Sequence, residues 1–290
     1  MYCVIQGLAD DFLRPFSCLF RILLHFRGME IIVMGCGTSQ GVPLVAHPND
    51  GLDLSNRRNW RTRTSVHVVL GGHRIQVDAA PEFRLQCIDN KIPAVDTFIL
   101  THAHSDHILG MDDLRQFCTN QGGRPIPVYT TEWGMERIAA IYPYALGLPK
   151  SFGYVALDVK LMPAKLVLPG GTIEQVRLPH GSEQTLGLVF TEAATGAKFA
   201  YYTDCKELTP EAYRLGAGAD VAILDGLRPN PHPTHMSFSE ACAAAETLGA
   251  KRTFITHMTY QIDYDTYTQK LAKTHPTVGL CYDGLRLQLG

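Results

Sequence analysis

The sequence predicts an α/β protein folded as a four-layer αββα sandwich. Three observations carry this. Apolar runs of strand length alternate with longer, helix-patterned segments along the chain. The strand-like runs come in groups, with helices after each group. Histidines and aspartates collect where those runs end, which is where α/β sheets place their sites. No internal repeat or low-complexity linker interrupts the 290 residues, so a single domain over residues 29–290 is expected.

The first strand is expected over Glu30–Met34. Ser65–Leu70 and Arg74–Asp78 flank Gly71-Gly72, a hairpin signal. Thr97–Leu100 and Ile126–Tyr129 are short apolar runs that read as buried strands. The second group comprises Thr172–Leu178, Leu186–Thr191, Lys198–Thr203, Val221–Leu224 and Thr253–Thr256. Helices are expected at Met111–Thr119, Glu132–Ile141, Pro210–Leu215, Phe238–Leu248 and Tyr264–Lys273. Thr209 before Pro210 is a good N-cap with proline at the first helical position. Ser237 and Glu240 form an S-x-x-E capping box, and Gly249 closes that helix.

The densest chemical signal is Thr101-His102-Ala103-His104-Ser105-Asp106-His107, directly after a strand-like run. It brings imidazoles and a carboxylate to one point at a sheet edge. Those donors suit zinc, manganese or iron. One loop cannot complete the shells of two metals, so distant partners are needed. His180, Asp204, His235 and His257 are isolated candidates, each at the end of an apolar segment. His235 lies in Pro231-His232-Pro233-Thr234-His235-Met236-Ser237, where it is either a proton carrier or a helix-entry residue.

Composition excludes little but is consistent. An apolar content of 46% with 19% charged residues is that of an ordinary globular protein. The formal charge of −2 argues against a broad nucleic-acid surface and a stable nucleic-acid partner. Arg57, Arg58, Arg61 and Arg63 surround Trp60; a solvated loop is preferred there over an anion-binding lid. The eight cysteines form no C-x-x-C pair and several sit in apolar patterns, pointing to a reducing compartment and hence the cytoplasm. Cys205, next to Asp204, reads as steric filler rather than ligand. Phe12–Phe26 is apolar but interrupted by Arg14, Pro15 and Arg21, too short and charged to span a membrane, and it has no small-residue cleavage site. Residues 1–28 are therefore expected to be an extension outside the domain, with translation starting at Met29 as the simplest account.

These motifs together resemble the metallo-β-lactamase-fold hydrolases. The matching segments are Gly35-Cys36-Gly37-Thr38-Ser39-Gln40-Gly41-Val42-Pro43, Val77-Asp78-Ala79-Ala80-Pro81-Glu82-Phe83-Arg84, the His-rich loop with Gly110-Met111-Asp112-Asp113-Leu114-Arg115, His180-Gly181, Thr203-Asp204, His232 to Ser237, Thr256-His257-Met258 and Tyr282-Asp283-Gly284-Leu285. Within that superfamily the chain is similar to the phosphoribosyl 1,2-cyclic phosphate phosphodiesterases of phosphonate breakdown. The resemblance implies His102, His104 and His180 as ligands of a first metal, and Asp106, His107 and His257 as ligands of a second. It implies Asp204 as the bridge, Asp78 as a buried brace, and His235 with Asp106 as catalytic residues. Two divalent ions, Mn2+ or Zn2+, would share a water deprotonated at neutral pH and clamp a phosphoryl oxygen.

The implied activity is hydrolysis of a small cyclic phosphate or nucleotide-type phosphodiester, with no membrane partner and a homodimer left open. A thioester or lactone hydrolase and, third, a tRNA-processing nuclease are alternatives on the same fold. The chain departs from many such relatives at Leu44 to Trp60, which carries no cysteine, and at Tyr260, where they have a second histidine; no structural zinc is expected.

Overall fold

The computed structural model describes residues 28–147 and 153–290. Apart from Gly28, the expectations for the N-terminal extension lie outside the described residues. The chain forms β1 (Met29–Gly35), β2 (Ser65–Leu70), β3 (His73–Val77), β4 (Thr97–Ile99), β5 (Ile126–Thr130) and β6 (Leu157–Leu161). It continues with β7 (Lys165–Leu168), β8 (Gly171–His180), β9 (Glu183–Glu192), β10 (Lys198–Tyr202), β11 (Val221–Asp225), β12 (Arg252–Thr256), β13 (Val278–Leu280) and β14 (Arg286–Leu289). The sheets run β14-β1-β2-β3-β4-β5-β6 and β13-β12-β11-β10-β9-β8-β7. In each, four strands pair antiparallel and then continue as parallel strands, β3 to β6 in one and β10 to β13 in the other. The two halves of the chain thus follow one plan.

Period-two alternation explains the layers. Val66, Val68 and Leu70 of β2 enter a core shared with Leu178, Leu188, Phe190 and Phe199 of the second sheet. A separate cluster, including Phe83, Phe98, Leu114, Phe117, Val128 and Ile138, seals helices onto the first sheet's outer face. The helices are α1 (Phe83–Asn90), α2 (Ser105–Ile108), α3 (Arg115–Asn120), α4 (Glu132–Ile141), α5 (Pro210–Gly216), α6 (Phe238–Leu248) and α7 (Tyr264–Thr274). The expected αββα sandwich is what forms.

Local signals were obeyed where they were strong. Gly71 and Gly72 take φ of 53° and 89°, as a type I′ hairpin turn requires. Thr209 caps α5 through the Ala212 amide, and the Ser237–Glu240 box and left-handed Gly249 bound α6. Among the described residues, six α-helices and strands escaped the pattern reading, α1, α2, β6, β7, β13 and β14, as did the 3-10 turns Arg57–Asn59 and Pro143–Ala145. β6 and β7 are short, with mostly solvent-facing residues, so neither shows a clear period. α1 leaves Leu85 and Ile88 about half exposed, which blurs its apolar face. The segment expected as one helix over Met111–Thr119 is a 3-10 turn, Met111–Leu114, followed by α3.

The arginine-rich segment is solvated at Arg57, Arg58 and Trp60, which are exposed, but not at Arg61. Arg61 is 1% exposed, and its guanidinium donates to Thr259 O and Asn59 Oδ1, each at 3.0 Å, and to Ile262 O. Arg57 lies over Trp60, and Arg58 over Tyr264 and Tyr282. Arg63 binds Ser39 O and Glu82. The Arg58 and Arg61 contacts tie this segment to the chain after His257, and Arg63 ties it to Ser39 and Glu82. Arg61→Ala would bury unpaired carbonyls and is expected to destabilise the fold by about 3 kcal/mol, read from denaturant midpoints. Arg58→Ala, losing only stacking, should cost about 1 kcal/mol. Equal midpoints for the two variants would refute this account.

Candidate active site

Every predicted site residue except His235 lies at or just beyond a strand's C-terminal end, on one edge of the sandwich; His235 stands in the loop between β11 and α6. Asp78 follows β3, and His102, His104, Asp106 and His107 follow β4. His180 ends β8, Asp204 follows β10 and His257 follows β12. Asp78, Asp204 and His257 adopt φ of 61°, 52° and 60°, a left-handed conformation that costs a non-glycine residue roughly 1–2 kcal/mol. Three such turns on one cluster mark a place where aim is favoured over backbone ease. His104 is the N-cap of α2, so the His-rich loop winds into one helical turn after its second histidine.

Asp78 braces this loop. Its Oδ1 accepts from the Thr101 amide at 2.8 Å, and its Oδ2 accepts from Thr101 Oγ1 at 2.8 Å and pairs with His107 Nδ1 at 2.7 Å. With Nδ1 so occupied, His107 turns Nε2 towards the cluster. His180 Nδ1 similarly meets Thr234 O at 3.0 Å. Such outer contacts fix ring orientation and tautomer.

Two groups of donors result. His102 Nε2 lies 2.9 Å from His104 Nδ1, which lies 3.2 Å from His180 Nε2. One ligand atom each from Asp106, His107, Asp204 and His257 falls within 4.8 Å of the others. Asp204 Oδ2 touches both groups: 3.8 Å from His102 Nε2, 3.3 Å from His107 Nε2 and 3.1 Å from His257 Nε2. Close as they are, His107 Nε2 and His257 Nε2 are buried without an aligned hydrogen bond. Orphaned imidazole nitrogens facing carboxylate oxygens are a poor protein interior but a good donor set for cations. The residues present therefore fit a divalent-metal centre.

Electrostatics separates the groups. Burial, with help from neighbouring imidazoles, pushes His102, His104 and His180 below the usual imidazole range, favouring their neutral, ligating form. Burial pulls His257 the same way, but Asp204, Asp106 and Asp225 outweigh it and hold it up at about 10. His107 is also raised against its burial, by Asp204, Asp106 and Asp78. The same pairs keep Asp106 and Asp204 well below the ordinary carboxylate range, although burial opposes this.

His235 sits between the groups. Its ring centroid is 4.7 Å from those of both His180 and His257 and parallels the latter within 13°. Its Nδ1 pairs at 2.7 Å with Asp225 Oδ2, which also accepts from the Cys205 amide at 2.9 Å. Asp225 is fully buried, and sequence reasoning missed it. The signal was present: it ends the apolar run Val221–Leu224, as the other candidates end theirs. His232 contacts Thr234 in its own turn, and Cys205 is buried filler that joins no ligand group. In the divergent insert, Asn49 bonds Leu44 and His47, and the His47 ring lies 4.5 Å from Tyr260.

A cavity of about 300 Å3 opens onto the cluster, with Ser39, Ser182, Glu183 and Thr234 completing its wall. A larger crevice of about 570 Å3, bordered by Phe83, Cys87 and Phe117, lies away from these residues, so size alone does not mark the chemistry.

A two-sheet sandwich carrying a His/Asp cluster at its strand ends defines a metal-dependent hydrolase. The chain belongs to the β-lactamase superfamily domain family, whose model matches residues 73–258. It is similar to a diphosphatase of the PhnP family, at 28% identity and a TM-score of 0.78, over 90% of this chain and 98% of that one. It shares its fold with zinc-bound PqqB from Methylobacterium extorquens, at 18% identity and a TM-score of 0.73, over 90% and 100%. Among curated proteins, an octanoyltransferase of Porphyromonas gingivalis is 29% identical over 263 residues, which are 89% of this chain and 51% of that protein. The chain thus spans about half the length of that relative. A ribonuclease Z of Clostridium kluyveri is 22% identical over 282 residues, covering 79% of this chain and 88% of the other.

Proposed function

We propose that residues 29–290 form a dinuclear phosphodiesterase acting on a small cyclic phosphate or nucleotide-type diester, using manganese or zinc in the cytoplasm. In this reading His102, His104 and His180 hold one metal, and Asp106, His107 and His257 hold the second. Asp204 spans both. Two divalent cations so held would supply an activated water and neutralise charge on the phosphoryl oxygens. The protein's own part is positioning and proton delivery. Asp78 and Thr101 fix the loop that carries four of the ligands. Asp225, bonded to His235 Nδ1, leaves Nε2 of that ring to pass a proton to the departing alkoxide.

The observation that carries the reading is the Asp225–His235 pair, buried beside the His/Asp cluster, with His235 outside both ligand sets of this reading. A phosphodiester with an alkoxide leaving group needs a proton donor there; an ester with a better leaving group does not. The diphosphatase and ribonuclease Z likenesses support phosphorus-ester chemistry. The net charge of −2 favours a small substrate over tRNA. Acyl chemistry has one observation in its favour, the octanoyltransferase relative, of which this chain matches only about half.

The test is metal content together with turnover of bis-p-nitrophenyl phosphate, 2′,3′-cyclic nucleotides, phosphoribosyl 1,2-cyclic phosphate, a thioester and a lactone, each with manganese and with zinc. Roughly two metals per chain and diester cleavage are expected. Two metals with thioester or lactone turnover alone would replace the reading with the acyl one.

A further inference from the structure

Thr203 and Asp204 follow directly on β10. Successive side chains of an extended strand point to opposite faces, so neighbours in sequence do not ordinarily meet. Here they do. Thr203 Oγ1 donates to Asp204 Oδ1 at 2.6 Å, with Thr203 fully buried and Asp204 2% exposed. The left-handed backbone at Asp204, φ 52°, breaks the extended run and lets the carboxylate fold back on the hydroxyl. The strain at this residue therefore has a local product, a charge-assisted hydrogen bond out of reach of water.

That bond sorts the two carboxylate oxygens. In the contacts of Asp204 with His102, His107 and His257 the nearer oxygen is always Oδ2, at 3.8, 3.3 and 3.1 Å. Oδ1 carries the hydroxyl bond instead. A threonine hydroxyl has one proton to give, and the branched Cβ restricts where it can point. Resting on the dinuclear reading, we propose that Thr203 is a positioning residue: its hydroxyl holds Asp204 Oδ1 so that Oδ2 alone is offered to the two donor groups. Without that bond the carboxylate is free to turn about its Cβ–Cγ axis and to withdraw Oδ2 from between them. Thr203 acts only through Asp204. Its effect falls on both metals at once, because Asp204 reaches both groups, and it is the same whichever ester is cleaved.

The experiment titrates manganese and zinc into chelator-stripped protein against a competing chelator, for wild type, Thr203→Val and Thr203→Ser. Valine keeps the branched shape and removes the hydroxyl, whereas serine keeps the hydroxyl. Thr203→Val should weaken both binding steps by about 10–100-fold, and Thr203→Ser by less than about threefold. The rise in melting temperature on adding manganese should shrink in Thr203→Val; a merely structural role would lower the metal-free melt and leave metal affinity unchanged. Thr203→Ser and Thr203→Ala, which differ by one oxygen, repeat the comparison if the valine variant does not fold. Wild-type affinity in Thr203→Val, or equal losses in Thr203→Val and Thr203→Ser, overturns the role of the hydroxyl. A loss confined to one binding step overturns its action through a shared ligand. Wild-type protein that binds fewer than two metals overturns the dinuclear reading and this inference with it.

Discussion

Asp204→Ala is expected to strip one or both metals and to lower kcat/KM by at least about a thousandfold, roughly 4 kcal/mol of transition-state stabilisation. Asp204 Oδ2 is the carboxylate oxygen that lies within 4 Å of imidazole nitrogens from both groups: His102 on one side, His107 and His257 on the other. Asp106 reaches only the second group, at 3.3 Å from His107 Nε2 and 3.6 Å from His257 Nε2. Removing Asp204 therefore removes a shared ligand, whereas removing Asp106 should weaken one metal more than the other. Elemental analysis of the purified variants, with titration of metal back into chelator-treated protein, separates these outcomes. An Asp204→Ala protein carrying the wild-type metal content would eliminate the bridging role. Asp204 also packs its charge against buried imidazoles, so a thermal melt of each metal-free variant is needed to separate lost stability from lost affinity.

His235→Ala should lower kcat by about 10²–10⁴ on a cyclic nucleotide while leaving metal content intact. On bis-p-nitrophenyl phosphate, whose leaving group departs without a proton, the loss should be under about tenfold. Asp225→Asn should reproduce much of the defect. An asparagine amide that donates where the carboxylate accepted reverses the hydrogen bond to Nδ1 and selects the wrong tautomer. Full activity of His235→Ala on an alkoxide-releasing diester would reject the proton-donor role. Loss of metal from the same variant would instead make His235 a ligand, a position its closeness to His180 and Asp204 makes worth testing.

Both residues are legible in the sequence, because the chemistry of metal donors is written locally. The His102–His107 motif is a short run of rare residue types after an apolar strand, and neither feature needs a partner to be recognised. Asp204 and His257 were found by the same rule, and their left-handed backbones show why strand ends matter: the chain turns there to aim a side chain. Asp225 obeyed the rule too, but its strand was ended one residue early at Leu224. The missed strands failed for a different reason. β14 reads Arg-Leu-Gln-Leu, four residues whose alternation becomes a strand only because β1 offers an edge to pair with.

The sequence alone determined the sandwich class and the order of its main strands, since apolar periodicity is a property of neighbouring residues, while the set of seven candidate ligands was singled out through the family resemblance. Tertiary structure alone decided what each residue faces. Asp225 meets His235 ten positions away through a loop that folds back, and Glu183 stands beside His180 because of a register. Arg61 became a buried strut because Thr259 and Ile262, some 200 positions distant, present carbonyls that only a donor could satisfy. Each of these depends on desolvation and on partners remote in the chain, and a one-dimensional pattern carries neither.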